Sequence, residues 1–352
     1  EMLEKAKKIL NTTMPVYLRL GIGRMGLETG LYNIVDNDTK VLTIDNGQWG
    51  HFGGQIAKNM GAEVKFLTGK MGADIDYNQL RKELLEKKYD VVTMVHNETQ
   101  TGCLYNIEKV SDVIQEGALP CAEFLSVHNA YKPLLFLKIP LTISSFGGTE
   151  IKFDEWKIDV IVTGSQKCLN APQGCPLLCY SSKAVNRMNS LKNKNFYFSM
   201  NIDNNPEYLF ARGLNDLFSY MLKHGLNNIY KEHYIAAKAV RTGLKKIGLN
   251  YMADDSVVSP STTRIIFPKE LQKQIDKDRK EKGIDQDCVT QIMKSNYHVC
   301  IAEDRIGTMG YYTKKEDVLA TIEALSNTMN DLGYKNDKLE ALNTVIQVFD
   351  EN

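Results

Sequence analysis

The sequence predicts an α/β protein with a large domain on a mostly parallel sheet and a smaller α+β domain behind it. Three observations support this prediction. Short β-like runs alternate with helical patterns over the first two thirds of the chain, joined by glycine-rich turns, which is typical of βαβ units. After Pro206 the alternation gives way to long helical segments. The length of 352 residues suits about two domains.

The elements of the large domain follow from apolar runs and from helical spacing of apolar residues. Strands are predicted at residues 41–44, 63–67, 91–95, 158–162 and 176–180. Helices are predicted at residues 53–60, 77–87 and 108–115. Ligands of such sheets bind where the carboxyl ends of the strands run into loops, so we expect the functional site there.

The second part of the chain predicts different elements. Residues 212–246 contain almost no Gly or Pro, which predicts one or two long helices that lead out of the large domain. Strands at 263–267 and 299–302 and helices at 287–294 and from Lys314 would follow. The mixed-charge run 276–282 is expected to be a solvated helix face or loop. We place the domains at 1–238 and 239–352.

Composition excludes several classes of function. Lys and Arg number 43, as do Asp and Glu, so no basic surface favours nucleic acid or an anionic membrane. The longest apolar stretch, 133–143, is interrupted by Lys138 and Pro140 and is shorter than the roughly 20 residues of a spanning helix. Seven scattered cysteines without a CxxC pair favour reduced thiols and a cytoplasmic protein.

The most informative segment is 158–174. An apolar strand runs into a tight turn that contains Lys167, and a Pro- and Gly-containing loop follows. Most lysines are solvated surface amines. A lysine at the carboxyl end of a strand, however, can be partly desolvated, which lowers its pKa as a Schiff-base nucleophile requires. We therefore predict that Lys167 is catalytic.

A glycine-rich turn precedes the first predicted helix of the large domain. Gly21 and Gly23 lie in a G-x-G-x-x-G string after the apolar run 16–20, and Arg24 follows them. Backbone N–H groups and the helix dipole would bind a phosphate there. The same string is typical of dinucleotide-binding folds. No second nucleotide-binding half follows it, and Lys167 has no role in a dehydrogenase.

Together the motifs give a family resemblance. The chain resembles the class V aminotransferases, pyridoxal-phosphate (PLP) enzymes of fold type I, and is most similar to their alanine–glyoxylate and serine–pyruvate branch. The resemblance extends from about residue 11 to 325 and rests on segments 46–50, 96–102, 165–172 and 304–310. It implies a seven-stranded, mostly parallel sheet, PLP as the cofactor and a homodimer. His96 and Glu98 lack a nearby third ligand, so no metal is expected.

The resemblance also implies roles for individual residues. Lys167 would carry the cofactor, and Arg305 would bind the substrate carboxylate through its planar guanidinium. The remaining cofactor contacts would come from the phosphate turn, an aromatic ring stacked on the pyridine, a hydroxyl and an amide: Gly21, Gly23, Arg24, Trp49, Thr99 and Gln166.

Several features depart from the family pattern. Leu141 stands where the family has the aspartate that pairs with the pyridine nitrogen, and Ile22 replaces a small hydroxyl residue in the phosphate turn. Only Glu303 and Asp304 remain of the loop before Arg305. Segment 116–140 is longer than usual, and segment 201–208, which would face a partner subunit, matches poorly.

The leading hypothesis is a transaminase that moves an amino group from an alanine-, serine- or aspartate-type donor to a 2-oxo acid such as glyoxylate or pyruvate. Two alternatives stay open. One is a cysteine-desulfurase-like lyase, although those relatives carry His immediately before the lysine and this chain has Gln166. The other is a catalytically impaired homodimer of the same fold, which Leu141 supports best.

Overall fold

A computed structural model describes residues 1–124, 137–191, 197–200, 208–284 and 286–352. Helices and strands alternate through the first part of the chain, and two long helices end it. In chain order these elements are α1 (Met2–Leu10), β1 (Val16–Leu18), α2 (Gly23–Tyr32), β2 (Lys40–Asp45), α3 (Gln48–Asn59), β3 (Glu63–Thr68), α4 (Tyr77–Glu86), β4 (Val91–Val95), β5 (Asn97–Glu98), β6 (Cys103–Leu104), α5 (Ile107–Phe124), β7 (Leu137–Leu141), β8 (Val160–Val162), β9 (Leu177–Tyr180), α6 (Ser182–Ser190), α7 (Tyr208–His224) and α8 (Leu226–Lys246).

A seven-stranded sheet organises these elements, in the order β1-β9-β8-β7-β4-β2-β3. Strands β8, β7, β4, β2 and β3 are parallel to one another, while β9 and β1 are antiparallel to their neighbours. Every residue of β4, β7 and β8 is buried, as expected for strands covered on both faces by helices. The predicted α/β fold with a mostly parallel sheet is confirmed.

Helix α3 begins at Gln48 rather than at the predicted residue 53. Gly50, Gly53 and Gly54 weaken the helical pattern in the sequence. In the structure they let α3 lie close to the sheet: a methyl group at Gly50 would lie 2.7 Å from the carbonyl oxygen of Ile44. Close packing on the strands therefore overrides local helix propensity.

The second part of the chain forms a three-stranded antiparallel sheet with helices packed against it. Its elements are β10 (Asn250–Tyr251), a 3₁₀ turn (Asp255–Val257), β11 (Thr262–Ile266), α9 (Lys269–Lys282), α10 (Cys288–Tyr297), β12 (Arg305–Gly307), a second 3₁₀ turn (Gly310–Thr313), α11 (Lys315–Asp331) and α12 (Lys338–Asp350). The sheet order is β10-β11-β12.

One prediction for this part is wrong. Residues 299–302 do not form a strand: only Ala302 makes an isolated bridge, and the strand is Arg305–Gly307. The apolar side chains of Val299 and Ile301 pack on the small-domain core without a ladder, which explains the misleading pattern. The charged run 276–282 belongs to α9 and is mostly exposed, as expected for a solvated helix face. Its Asp278 is buried, and the carboxylate accepts the backbone N–H of Cys288.

Helix α8 passes through both hydrophobic cores. Its Ile229 belongs to the core beneath the large sheet, whereas Ile235 belongs to the core of the second sheet. Gly225, with φ +93°, separates α8 from α7. The boundary between residues 238 and 239 stays a prediction and would divide a continuous helix.

Among the described residues, no helix combines the length and the apolar character that a membrane crossing requires. Part of the apolar stretch 133–143 and most of the segment 201–208 that was expected to face a partner subunit lie outside the described residues.

Candidate active site

A cavity of about 360 Å³ lies at the carboxyl ends of β4, β7 and β8. Its walls contain six of the residues that the sequence singled out. They are Gly23, Arg24, Trp49, Thr99, Gln166 and Lys167. Leu141 and Ile22, the two departures from the family pattern, line the same cavity. Gly21 and Arg305 lie outside its walls and are described below.

Lys167 follows β8 in a closed turn. The N–H of Asn170 donates to the Lys167 carbonyl at 2.8 Å, and the hydroxyl of Ser165 donates to the Pro172 carbonyl at 2.7 Å. The Lys167 side chain is half-buried, and its amine has no hydrogen-bond or ion-pair partner among the residues that the structure describes. Burial, and next the charge of Arg305, lower the pKa of this amine. Lys167 thus has the environment that a nucleophilic amine needs.

The amino end of α2 opens on the cavity. Gly21, with φ +143°, turns the chain and donates its N–H to the Gly174 carbonyl at 2.9 Å. Ile22 then precedes the helix in an extended conformation, and no side chain caps the first helical N–H groups. Uncapped N–H groups and the positive end of the helix dipole form an anion site. Gly23 and Arg24 stand at this end and line the cavity, and their role in binding a phosphate stays a prediction.

Trp49 is held at the cavity by a carboxylate that the sequence reasoning did not recognise. The Glu98 Oε2 atom accepts the backbone N–H groups of Trp49 at 2.9 Å and Gly50 at 3.2 Å, at the start of α3. Its Oε1 atom accepts the N–H of Gln100 at 2.9 Å. Burial raises the pKa of Glu98 despite these bonds. No local signal marks this cap, because it joins residues 49 positions apart.

His96 and Asn97 are fixed behind the cavity by buried hydrogen bonds. His96 Nδ1 lies 2.9 Å from the Ser145 hydroxyl, and burial lowers the pKa of His96 to about 3, so the ring is neutral. Asn97, which lines the cavity, donates its amide to the Ser144 carbonyl at 2.9 Å and to the Ser261 hydroxyl at 2.7 Å. Its Oδ1 atom is buried without a partner in the described part of the chain.

Arg305 begins β12 and is largely buried. Its Nη2 atom lies 2.8 Å from Glu303 Oε1. Although Arg305 lies outside the cavity walls, its charge adds to the burial that lowers the pKa of Lys167, and it partly opposes the burial that raises the pKa of Glu98. The small domain therefore places this guanidinium within electrostatic reach of the predicted catalytic lysine.

Leu141 ends β7 beside Val95 of β4 and lines the cavity with an apolar side chain. The nearby carboxylate of Glu98 accepts three backbone N–H groups and is not free to replace an aspartate at this position. The described ranges contain no group of three or more His, Cys, Asp or Glu side chains placed to bind a metal.

These residues can be compared with the chemistry of PLP. The uncapped end of α2 suits its phosphate, the unpaired amine of Lys167 suits its aldehyde, and the indole of Trp49 suits its flat ring. The unpartnered Asn97 Oδ1 offers a further acceptor. Only the pyridine nitrogen lacks a carboxylate partner at Leu141. The cofactor fits at its phosphate, its aldehyde and its ring.

Comparison with known proteins agrees with this site. No protein-family model matches the chain. An uncharacterized aminotransferase of Methanocaldococcus jannaschii is 29% identical, covering 95% of this chain and 85% of that protein. The alanine–glyoxylate aminotransferase of Oryctolagus cuniculus is 30% identical over 182 residues, which are 52% of this chain and 42% of that protein.

The fold is shared with solved structures. Ureidoglycine–glyoxylate aminotransferase from Bacillus subtilis superimposes with a TM-score of 0.85 at 24% identity, covering 100% of this chain and 89% of that structure. At this identity the likeness establishes the architecture, which is that of PLP fold type I. The chain is therefore a homologue of the class V aminotransferases and has the fold of the PLP-dependent enzymes among them.

Proposed function

We propose that this aminotransferase moves the amino group of a small amino acid of the alanine, serine or aspartate type to a 2-oxo acid such as glyoxylate or pyruvate. The observation that carries the proposal is the half-buried, unpaired amine of Lys167 in one cavity with the uncapped end of α2 and the Trp49 ring. The small size of the cavity, about 360 Å³, suits a small substrate beside the cofactor.

Each residue around the cavity has a defined task in this proposal. The N–H groups at Gly23 and Arg24 bind the phosphate, and Gln166 and Thr99 complete the cofactor contacts. Trp49, fixed by its bond to Glu98, supports the ring. When bound, PLP supplies an electron-accepting ring that stabilises negative charge at the substrate Cα.

Lys167 acts as the acid and base. Because burial and the Arg305 charge lower the pKa of its amine, Lys167 is neutral more readily than a surface lysine. A neutral Nζ accepts the proton from the substrate Cα and returns a proton later in the reaction. Arg305 binds the substrate carboxylate, a task for which its planar guanidinium is suited.

The lyase alternative gains no support from the site. A desulfurase needs a reactive thiolate near the cofactor, but no described cysteine lines the cavity. The nearest in sequence to the lysine, Cys168, is buried, and burial raises the pKa of its thiol to about 12.

We also infer that the protein is a cytoplasmic homodimer. The family resemblance supports the dimer, because fold type I sites are assembled between two subunits. The six cysteines described by the structure are free, which suits a reducing compartment.

Chemical trapping tests the proposed role of Lys167. The purified protein is saturated with PLP, reduced with borohydride and mapped by peptide mass spectrometry. We expect the pyridoxyl label on Lys167, its loss in Lys167→Ala, and an unchanged label in Lys294→Ala, which removes an exposed lysine of α10. Half-transamination with alanine, serine and aspartate then identifies the donor. Absence of the label from Lys167 in the wild-type protein would overturn the proposal.

A further inference from the structure

We propose that Glu303 competes with the substrate carboxylate for Arg305 and so lowers the affinity of the site for carboxylate substrates. The inference rests on the proposed role of Arg305 and deepens it, because it assigns a built-in competitor to the carboxylate site. A carboxylate substrate must displace Glu303 from the guanidinium. Its affinity therefore depends on how much more strongly Arg305 binds the substrate carboxylate than the carboxylate of Glu303.

The pattern of hydrogen bonds on Arg305 shows which face is occupied. Its Nη2 atom donates to Glu303 Oε1 at 2.8 Å, and its Nε atom donates weakly to the Ala302 carbonyl at 3.4 Å. Nε and Nη2 together form one of the two faces through which a guanidinium binds a carboxylate with two parallel bonds. Both donors of that face are already engaged within the chain. Nη1 has no partner among the described residues.

A tight turn holds Glu303 in this position. Ala302 and Arg305 exchange two backbone hydrogen bonds, of 3.1 and 3.0 Å, so that Glu303 and Asp304 form a two-residue turn. Asp304 is buried and anchors the turn, since its Oδ2 atom accepts the Nε–H of Arg264 at 3.0 Å. Because Asp304 is anchored, the Glu303 side chain stays beside Arg305.

The backbone at Glu303 indicates that the turn does not require a glutamate. Its φ is +62°, a left-handed conformation that glycine adopts without steric cost and that other residues adopt rarely. The carboxylate is therefore separable from the geometry of the turn. This allows a glycine variant that removes the competitor and suits the backbone.

The turn also lies near the predicted catalytic lysine. The chain that follows β12 reaches the Lys167 turn at Gly310, where an added methyl group would lie 2.4 Å from Cβ of Asn170. Arg305 is close enough for its charge to lower the pKa of Lys167. The Glu303 carboxylate, which pairs with Arg305, therefore changes the charge close to Lys167 and not on a remote surface.

Binding of propionate, an unreactive carboxylate, tests the competition without relying on turnover. Its dissociation constant is measured by calorimetry on the PLP-saturated protein, for the wild type, Glu303→Gln and Glu303→Gly. We expect both variants to bind propionate about 1.5- to 5-fold more tightly, the range for a partly exposed charge pair. The control Glu323→Gln removes a glutamate that pairs with Lys338 at 3.4 Å in the small domain, and its affinity should equal that of the wild type.

A double-mutant cycle assigns the gain to Arg305. In an Arg305→Gln background, Glu303→Gln should no longer change propionate affinity. Unchanged or weaker binding in both Glu303 variants would show that the carboxylate orients Arg305 instead of competing for it, and would overturn the inference. The borohydride label on Lys167 tests the proposed function separately. If Lys167 is labelled but the Glu303 variants do not bind propionate more tightly, only the competition at Arg305 is refuted.

Discussion

At the residue scale, the cavity combines a reactive amine with an apolar wall. Lys167 has no partner in the described structure, whereas the buried groups around it, His96 and Glu98, are held by fixed hydrogen bonds. Only Leu141 conflicts with the chemistry of an electron-accepting ring, because an alkyl group cannot keep a pyridine nitrogen protonated. We therefore expect this side chain to limit the rate of the reaction.

The first prediction concerns Leu141. Leu141→Asp should raise the rate of half-transamination with alanine by about 10- to 100-fold, because it restores a charge that stabilises the electron-rich state. The rate is followed by the change in cofactor absorbance after mixing with alanine. Leu141→Asn, polar but uncharged, is the matched control and should react much more slowly than the aspartate variant. Equal rates in folded wild-type and aspartate proteins would show that the nitrogen needs no carboxylate here.

A second residue-scale prediction concerns His96 and pH. Its pKa is about 3 in the folded protein and near 6.5 when the chain unfolds, so the unfolded chain binds the proton first as pH falls. The stability contribution of His96 is complete above about pH 6.5 and is lost as pH decreases toward the folded-state pKa. Between about pH 4 and 5.5 this histidine should lower the free energy of unfolding by up to about 1.4 kcal/mol for each unit by which the pH falls.

Urea unfolding at several pH values checks the role of His96. In His96→Gln the free energy of unfolding should change less steeply with pH, by that amount. His298 is exposed and lies outside the site, so His298→Gln serves as the control and should keep the wild-type slope. A wild-type slope in His96→Gln would contradict the assignment.

At the scale of elements, α3 shows how the sheet and a distant loop position a functional side chain. Three glycines allow the helix to approach the strands, and Glu98 accepts two of its first N–H groups. Carboxylates at helix amino ends are stabilising because they satisfy free donors and oppose the helix dipole. Packing and capping together therefore position Trp49. The packing of α3 on the sheet can be tested by substituting one of its glycines.

We expect opposite effects from two glycine substitutions. Gly50→Ala should destabilise the protein by about 1–3 kcal/mol, because the new methyl group would lie 2.7 Å from the Ile44 carbonyl oxygen. Gly213→Ala lies in α7, where no atom of a neighbouring described residue is within 4 Å of the new methyl group, and it should stabilise the protein by about 0.5–1 kcal/mol through helix propensity. Urea denaturation measures both. A Gly50→Ala protein as stable as the wild type would refute the close approach of α3 to β2.

At the scale of the whole molecule, α8 links the two cores and the site draws on both. The large sheet supplies the cavity with Lys167, and the small sheet supplies Arg305. His233 of α8 accepts the N–H of Gly310 at 3.2 Å and so ties the helix to the segment that follows β12. Because a continuous helix must break for the cores to separate, we expect the two parts to unfold together.

The two tryptophans allow this expectation to be measured. Trp49 and Trp156 are the only tryptophans in the chain, and both pack against the core beneath the large sheet. Their fluorescence reports the large domain, while far-ultraviolet circular dichroism reports helices of both. The two urea transitions should coincide in the wild type and in Lys238→Ala, but separate in Lys238→Pro, which breaks α8. Separate wild-type transitions would contradict the coupling.

The sequence by itself determined the α/β class, five of the seven strands of the large sheet and six residues that meet in one cavity. Apolar runs such as Val91–Val95 carry their periodicity locally, and parallel strands bring their carboxyl ends to one edge, so motifs after separate strands meet there. Only the tertiary structure decided that Glu98 caps α3, that Asp278 is buried, and that Glu303 occupies Arg305. These features depend on distances between groups that are far apart in the chain, or on the path of a turn. The periodicity of apolar residues along the sequence gives no information on either.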